Sequence, residues 1–228
     1  VGDGPAPSER IGGCAAESDG QSPGALVNEL VSEAGPAIPE PMASVIVPVL
    51  SGERTLERCL RSVLQQSMTE LELIVIDDGS TDGTRRVAEE IDDARLVLLS
   101  QPNAGVSAAR NVGIARARGP LVVFLDADDE VEADWLSRLV APFVDPSVGL
   151  VCCGGVYFDE SNGSRVLLPS RSGGLLDDFV VLFMAGAFMV RSDVLASAGN
   201  YAPLSYGENL DLGYRITQIL RGRRLSAV

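Results

Sequence analysis

Asp126, Asp128 and Asp129 close an apolar run in the string LVVFLDADDE, residues 121–130. An unbroken run of Val, Phe and Leu reads as a buried strand, so the acids stand at a strand end. Carboxylates this close repel one another unless a cation or a hydrogen-bonded loop offsets them. Hard oxygens in Asp-x-Asp spacing suit Mg2+ or Mn2+, ions that usually also hold substrate phosphates. The chemistry written here is a metal–diphosphate site. In an open parallel sheet the carboxyl end of a strand is where ligands bind.

A second pair of acids, Asp77 and Asp78, ends another apolar run and leads into GSTDGT. One reading is a tight turn in which Asp82 and Thr84 cap the following helix. The other is that Asp78 accepts a hydrogen bond from a nucleotide base. Arg110 lies among small residues in NAGVSAARNVG. It suits either a salt bridge to Asp126 or Asp78 or a guanidinium contact to the nucleotide, and the two are compatible. The chain contains no His, which removes Ser-His-Asp, Cys-His and His-zinc chemistry. A general base must then be a carboxylate, a Cys or a Tyr.

These groups need a scaffold, and the patterning supplies one. Strands are expected at 44–49, 71–77, 96–100 and 121–125. They alternate with helices at 55–66, 84–91, 107–118 and 135–144, with Thr55 as N-cap of the first. That alternation predicts an α/β fold: a mostly parallel central sheet with right-handed crossovers and helices on both faces. Beyond Pro146 the pattern changes to strands at 148–158 and 165–168 around an Asn162-Gly163 turn, a short strand at 188–190 and a helix at 209–221. Residues 1–41 are rich in Gly, Pro, Ser, Glu and Ala and read as a disordered tail. Residues 42–228 read as one domain that breaks off at Val228 in the manner of a fragment.

A net charge of −14 argues against nucleic-acid or anionic-membrane partners, which want a basic surface. Cys14, Cys59, Cys152 and Cys153 lack any CxxC spacing and read as reduced thiols of a cytoplasmic protein. The longest apolar run, 179–190, is too short to span a bilayer, and no signal peptide is recognisable.

The strings SVIVPVLSGERTLERCLRSVLQQSMTELELIVIDDGSTDGT and QPNAGVSAARNVGIARARGPLVVFLDADD resemble the family 2 glycosyltransferases of the GT-A fold, over residues 43 to 214. The resemblance implies inverting transfer of a sugar from a UDP-, GDP- or dTDP-type donor with a divalent metal, Mn2+ or Mg2+. The acceptor would be a carbohydrate, a lipid-linked saccharide or a small molecule. It further implies that Pro48 and Leu50 border the nucleoside, that Asp78 binds the base with help from Arg110, and that Asp126 faces the ribose or diphosphate. Asp128 would hold the metal. The later string YGENLDLGYR is similar to an acidic helix start of the family, where Glu208 becomes the candidate base and Asp211 the next. Two departures stand out. Asn209 replaces the second acid of the usual pair, and an amide takes no proton. Leu50 stands where an aromatic often stacks on the base. Trp135, the one Trp, reads either as helix-packing core or as a border of the sugar site. Segment 159–178 is the expected source of acceptor contacts. The alternatives are a nucleotide-sugar-binding module of the same fold without transferase activity, and, less well supported, a sugar-phosphate nucleotidyltransferase. The latter usually has a Gly-rich loop with Arg and Lys, and this chain has no Lys.

Overall fold

A computed structural model describes residues 40–159, 163–168, 185–204 and 207–228. The expected tail before residue 40, Asn162 of the expected turn, Tyr206 and most of segment 159–178 lie outside the described residues.

The elements run β1 (Ala43–Val49), α1 (Leu56–Leu64), β2 (Leu71–Asp77), α2 (Thr84–Glu89), β3 (Leu96–Ser100), α3 (Val106–Arg116), β4 (Leu121–Phe124) and α4 (Trp135–Val140). They continue with β5 (Val148–Cys152), β6 (Gly155–Asp159), β7 (Ser164–Leu168), β8 (Phe188–Arg191), α5 (Ser192–Ala198), α6 (Glu208–Arg223) and β9 (Ser226–Ala227). Seven strands form one sheet in the order β3-β2-β1-β4-β8-β5-β9. The first four are parallel; β8 runs antiparallel to both β4 and β5. β6 and β7 form a separate antiparallel ribbon.

Every residue of β1 and β2 is buried, because helices cover both faces of the sheet. Side chains alternate between the faces. Val45, Val47 and Val75 pack with Leu56, Leu60 and Val63 of α1. Ile46, Ile76 and Phe124 pack with Leu212, Ile216 and Leu220 of α6. Gly113 lets α3 lie directly on β1, since a Cβ there would collide with Ile46. The chain leaves β1 for β2 and β3 on one side and returns to β4 on the other. This reversal opens a crevice beyond the carboxyl ends of β1 and β4, where ligands bind in such sheets.

Several boundaries differ from the expected ones. The strand expected at 148–158 breaks at Cys153-Gly154, so β5 stays in the main sheet while β6 leaves it. The helix expected at 135–144 tightens into a 3-10 turn at Ala141–Val144, which contains Pro142, a residue with no N–H to donate. Thr55 makes no side-chain cap to α1.

At the opposite end of the strands, the fully buried Glu72 carboxylate ties three segments together. It accepts from Ser44 Oγ at 2.7 Å, Arg118 N at 2.6 Å, Arg118 Nε at 2.9 Å and Gly119 N at 3.3 Å. Burial pushes this carboxyl up, but the donors outweigh it and hold it below its usual 4.5. A depressed folded value stabilises fully above the unfolded value and is lost as pH falls through the folded one. Unfolding free energy is therefore expected to decline below pH 4.5. Glu72→Gln should cost about 2 kcal/mol at neutral pH and flatten that acid decline. Urea unfolding across pH checks both, and equal acid slopes in the two proteins would contradict the assignment.

Candidate active site

The crevice is a cleft of about 660 Å3, bordered by Pro48 and Leu50 at the end of β1, by Glu53 and Arg54 in the next turn, and by Asp126 and Asp128 beyond β4. Its floor is fixed by a neighbouring turn. Ser51 N donates to Ser80 Oγ at 2.9 Å, Gly52 N to Thr84 Oγ1 at 2.8 Å and Glu53 N to Asp82 Oδ2 at 3.3 Å. Asp82 also accepts from Thr84 N at 3.1 Å, but the N-cap of α2 is Gly83 with no side-chain cap, so Asp82 and Thr84 brace the turn and do not cap the helix as expected. Ser51 takes a left-handed backbone, φ +55, which turns the chain sharply after Leu50. Leu50 itself is half exposed at the cleft.

Asp78 sits at the end of β2, only 3% exposed. Its carboxylate accepts from Gln101 Nε2 at 2.7 Å, Ala104 N at 2.9 Å and Gly105 N at 2.8 Å. It thus fastens the loop that leads into α3, and Arg110 is not among its partners. A carboxylate has about four acceptor positions, so roughly one remains for a ligand. Gly79 carries φ +80, and a Cβ there would stand 2.7 Å from Asn103 N. Only glycine permits this close passage of the two loops.

Arg110 is the centre of the arrangement. It is 2% exposed, projecting from α3 between the two halves of the fold. Its Nη2 donates to Asp126 Oδ1 at 2.9 Å, and its Nη1 to Glu208 Oε1 at 3.0 Å and Asn209 Oδ1 at 3.3 Å. The guanidinium lies 5.2 Å from the centroid of the Tyr201 ring, a cation–π distance. Tyr201 Oη donates to Asn209 Oδ1 at 3.1 Å, and the Asn111 amide brackets the Tyr201 backbone with bonds of 3.0 and 2.8 Å. Only the salt bridge to Asp126, of the two expected, is present. Glu208 and Asn209 do not cap α6: its N-cap is Gly207, with no side-chain cap. Both turn inward to Arg110 instead.

Asp211 goes elsewhere. It pairs with Arg215 at 2.7 Å, and Arg215 reaches the carbonyls of Ala198 and Asn200. The structure brings Glu208 to the cluster and does not bring Asp211. Tyr201 escaped the sequence reading because it stands in an aperiodic loop with no pattern to single it out. Trp135 is buried, and its Nε1 donates to Gly186 O at 2.9 Å, which is the packing role.

Beyond β4 the acids form a tight turn, with Asp129 N donating to Asp126 O at 3.1 Å. Desolvation and the charges of Asp126 and Asp128 push the Asp129 carboxyl up to about 6. Beneath the turn, Cys59 Sγ donates to Asp126 O at 3.5 Å. Burial, then the charges of Asp129, Asp126, Asp128 and Glu130, push this thiol up to about 12, so it stays protonated and unreactive. Cys59, Cys152 and Cys153 are all free thiols. Among the described residues no three His, Cys, Asp or Glu side chains converge as an ion cage. Mg2+ and Mn2+ do not need one: one or two carboxylates suffice when phosphates and waters complete the shell. Asp128, a hard oxygen donor on an open cleft, fits that half-site. Asp128 has no hydrogen bond or ion pair among the described residues. No helix among them is long and apolar enough to cross a membrane.

Residues 44–195 match the family model described as "Glycosyl transferase family 2". The uncharacterized glycosyltransferase EpsJ of Bacillus subtilis is 35% identical over 133 residues, 58% of this chain and 38% of that protein. The crystal structure of Staphylococcus aureus TarS gives a TM-score of 0.65 at 24% identity, covering 78% of this chain and 33% of that one. The mannosyltransferase PcManGT from Pyrobaculum calidifontis, solved with GDP-Man and Mn2+, gives a TM-score of 0.61 at 25% identity, covering 82% of this chain and 54% of that one. The chain spans less than two thirds of the length of each of these relatives.

Proposed function

This chain belongs to glycosyl transferase family 2 and carries the GT-A fold, and on that basis we propose that it transfers a sugar, with inversion, from a nucleotide diphosphate donor to an acceptor hydroxyl. One observation carries the proposal: Arg110 joins the Asp126 end of the cleft to Glu208. A donor carboxylate and a candidate base are thereby held on one rigid cation.

In this reading residues 42–228 act as a single domain. The nucleoside rests against Pro48 and Leu50, and the remaining acceptor position of Asp78 meets the base. Leu50 offers apolar contact without stacking. Asp126 faces the ribose or diphosphate, and Asp128 would hold a Mn2+ or Mg2+ ion, which when bound neutralises charge developing on the leaving diphosphate. Glu208 removes the proton of the acceptor hydroxyl. The hydroxyl oxygen then bonds to the anomeric carbon as the bond to the nucleoside diphosphate breaks on the opposite face. Asn209 serves as a neutral hydrogen-bond partner of Arg110 and Tyr201. PcManGT, with its GDP-Man and Mn2+, lends support to both donor class and metal. The three free thiols support a reducing, cytoplasmic setting.

Calorimetric titration of UDP, GDP and dTDP with and without Mn2+ tests the donor site. One nucleotide is expected to bind in a metal-dependent manner, and Asp128→Ala should abolish the metal dependence. Metal-dependent binding that survives the substitution would remove Asp128 from the site. A second reading, a donor-binding module without transfer, is favoured by Asn209 in place of an acid. Nucleotide binding without transfer to a broad acceptor panel would select it.

A further inference from the structure

Five ionisable side chains line the cleft: Glu53, Arg54, Asp82, Asp126 and Asp128. Three are committed. Glu53 pairs with Arg86 Nη2 at 3.4 Å. Asp82 is consumed by Thr84 and Glu53 N. Asp126 pairs with Arg110. Asp128 and Arg54 remain, each without a hydrogen bond or ion pair among the described residues. Arg110 cannot serve as the cleft's free cation, because it is buried and already shared by Asp126 and Glu208.

An anion entering here meets four acids and a single cation. Two uncommitted groups of opposite sign on one cleft complement a cation–diphosphate: the carboxylate meets the cation, and the guanidinium meets phosphate oxygens. A guanidinium presents forked N–H donors that match phosphate geometry. Arg54 is exposed at the turn before α1, so it meets an incoming ligand without first breaking an internal bond. Resting on the donor reading above, we infer that Arg54 is a binding residue that contacts the diphosphate of the donor.

The test uses the full chain. UDP, GDP and dTDP are titrated with Mn2+ into wild type, Arg54→Gln and Arg54→Lys, with uridine, guanosine and thymidine alongside. For the nucleotide that binds, Arg54→Gln should weaken the diphosphate about tenfold and leave the matching nucleoside unchanged. Arg54→Lys should recover part of the loss, since it keeps the charge but not the fork. These probes carry no transferable sugar, so a loss assigns the contact to the diphosphate and not to an anionic donor sugar or acceptor. Undiminished diphosphate binding by Arg54→Gln overturns the inference and leaves the donor reading intact. Equal weakening of nucleoside and diphosphate overturns it as well, since the residue would then only shape the loop. If wild type binds none of the three nucleotides, the donor reading fails and this inference with it.

Discussion

Arg110→Met should destabilise the protein by about 3 kcal/mol, the low end for removing one partner of a buried ion pair. The low end applies because Asp126 keeps a half-exposed carboxylate that water can screen. Glu208 is only 17% exposed at its side chain and would be left with little compensation. Met fills much of the volume, so the loss reports charge more than cavity. Arg110→Lys should recover little. One ammonium is a compact point charge and cannot present separate donors to Asp126, Glu208 and Asn209 in a fixed fork. Chemical unfolding measures both variants. A midpoint equal to wild type for the Met variant would mean that the pairs contribute nothing net and that the two halves of the site are held by packing alone.

Glu208→Gln should lower transfer by about 10²–10⁴-fold, the usual contribution of general base catalysis. Nucleotide affinity should remain unchanged, because Gln keeps the shape and still offers Arg110 an acceptor. The readout is release of nucleoside diphosphate from a bound donor sugar, to an acceptor panel or to water. Full turnover in this variant would remove Glu208 from proton transfer. Asn209 could not take over, having no basic site, and Asp211 is held by Arg215. The combination of normal binding and lost turnover separates this role from a structural one, which would disturb both.

The first half of the fold was legible because its signals are local. Largely apolar runs at β1, β2 and β4 mark strands buried on both faces, and acids at the ends of β2 and β4 mark the crevice. The second half was harder for physical reasons. No pattern within Phe188–Arg191 announces an antiparallel insertion between β4 and β5, since strand direction is decided by tertiary pairing. Ser192–Ala198 is a seven-residue helix, too short for a clear period. The break between β5 and β6 at Cys153-Gly154 was hidden by apolar residues on either side.

Side-chain commitments were legible only in part. Sequence proximity to an acidic strand end suggested that Arg110 would find Asp126, and it does. Nothing local could show that Asp78 is mostly consumed by backbone N–H groups 26 and 27 residues away. Nor could the helix start tell whether Glu208 and Asn209 would cap α6 or turn inward. The left-handed Gly207 decided that by placing both side chains against a cation from another element.

The order in which the chain is made gives the Arg110 tether a temporal side. Arg110 and Glu208 are separated by 98 residues, so at roughly 5–20 residues per second the guanidinium emerges from the ribosome roughly 5–20 s before its partner. The parallel strands can pair in that interval, because β1 to β4 are complete by residue 124. Asp126 is made early, but full burial of the charge waits for Glu208, since one half-exposed carboxylate compensates the guanidinium only in part. Helix α6 thus seals α3, and a nascent chain holds an open cleft at the ends of β1 and β4 well before it acquires Glu208.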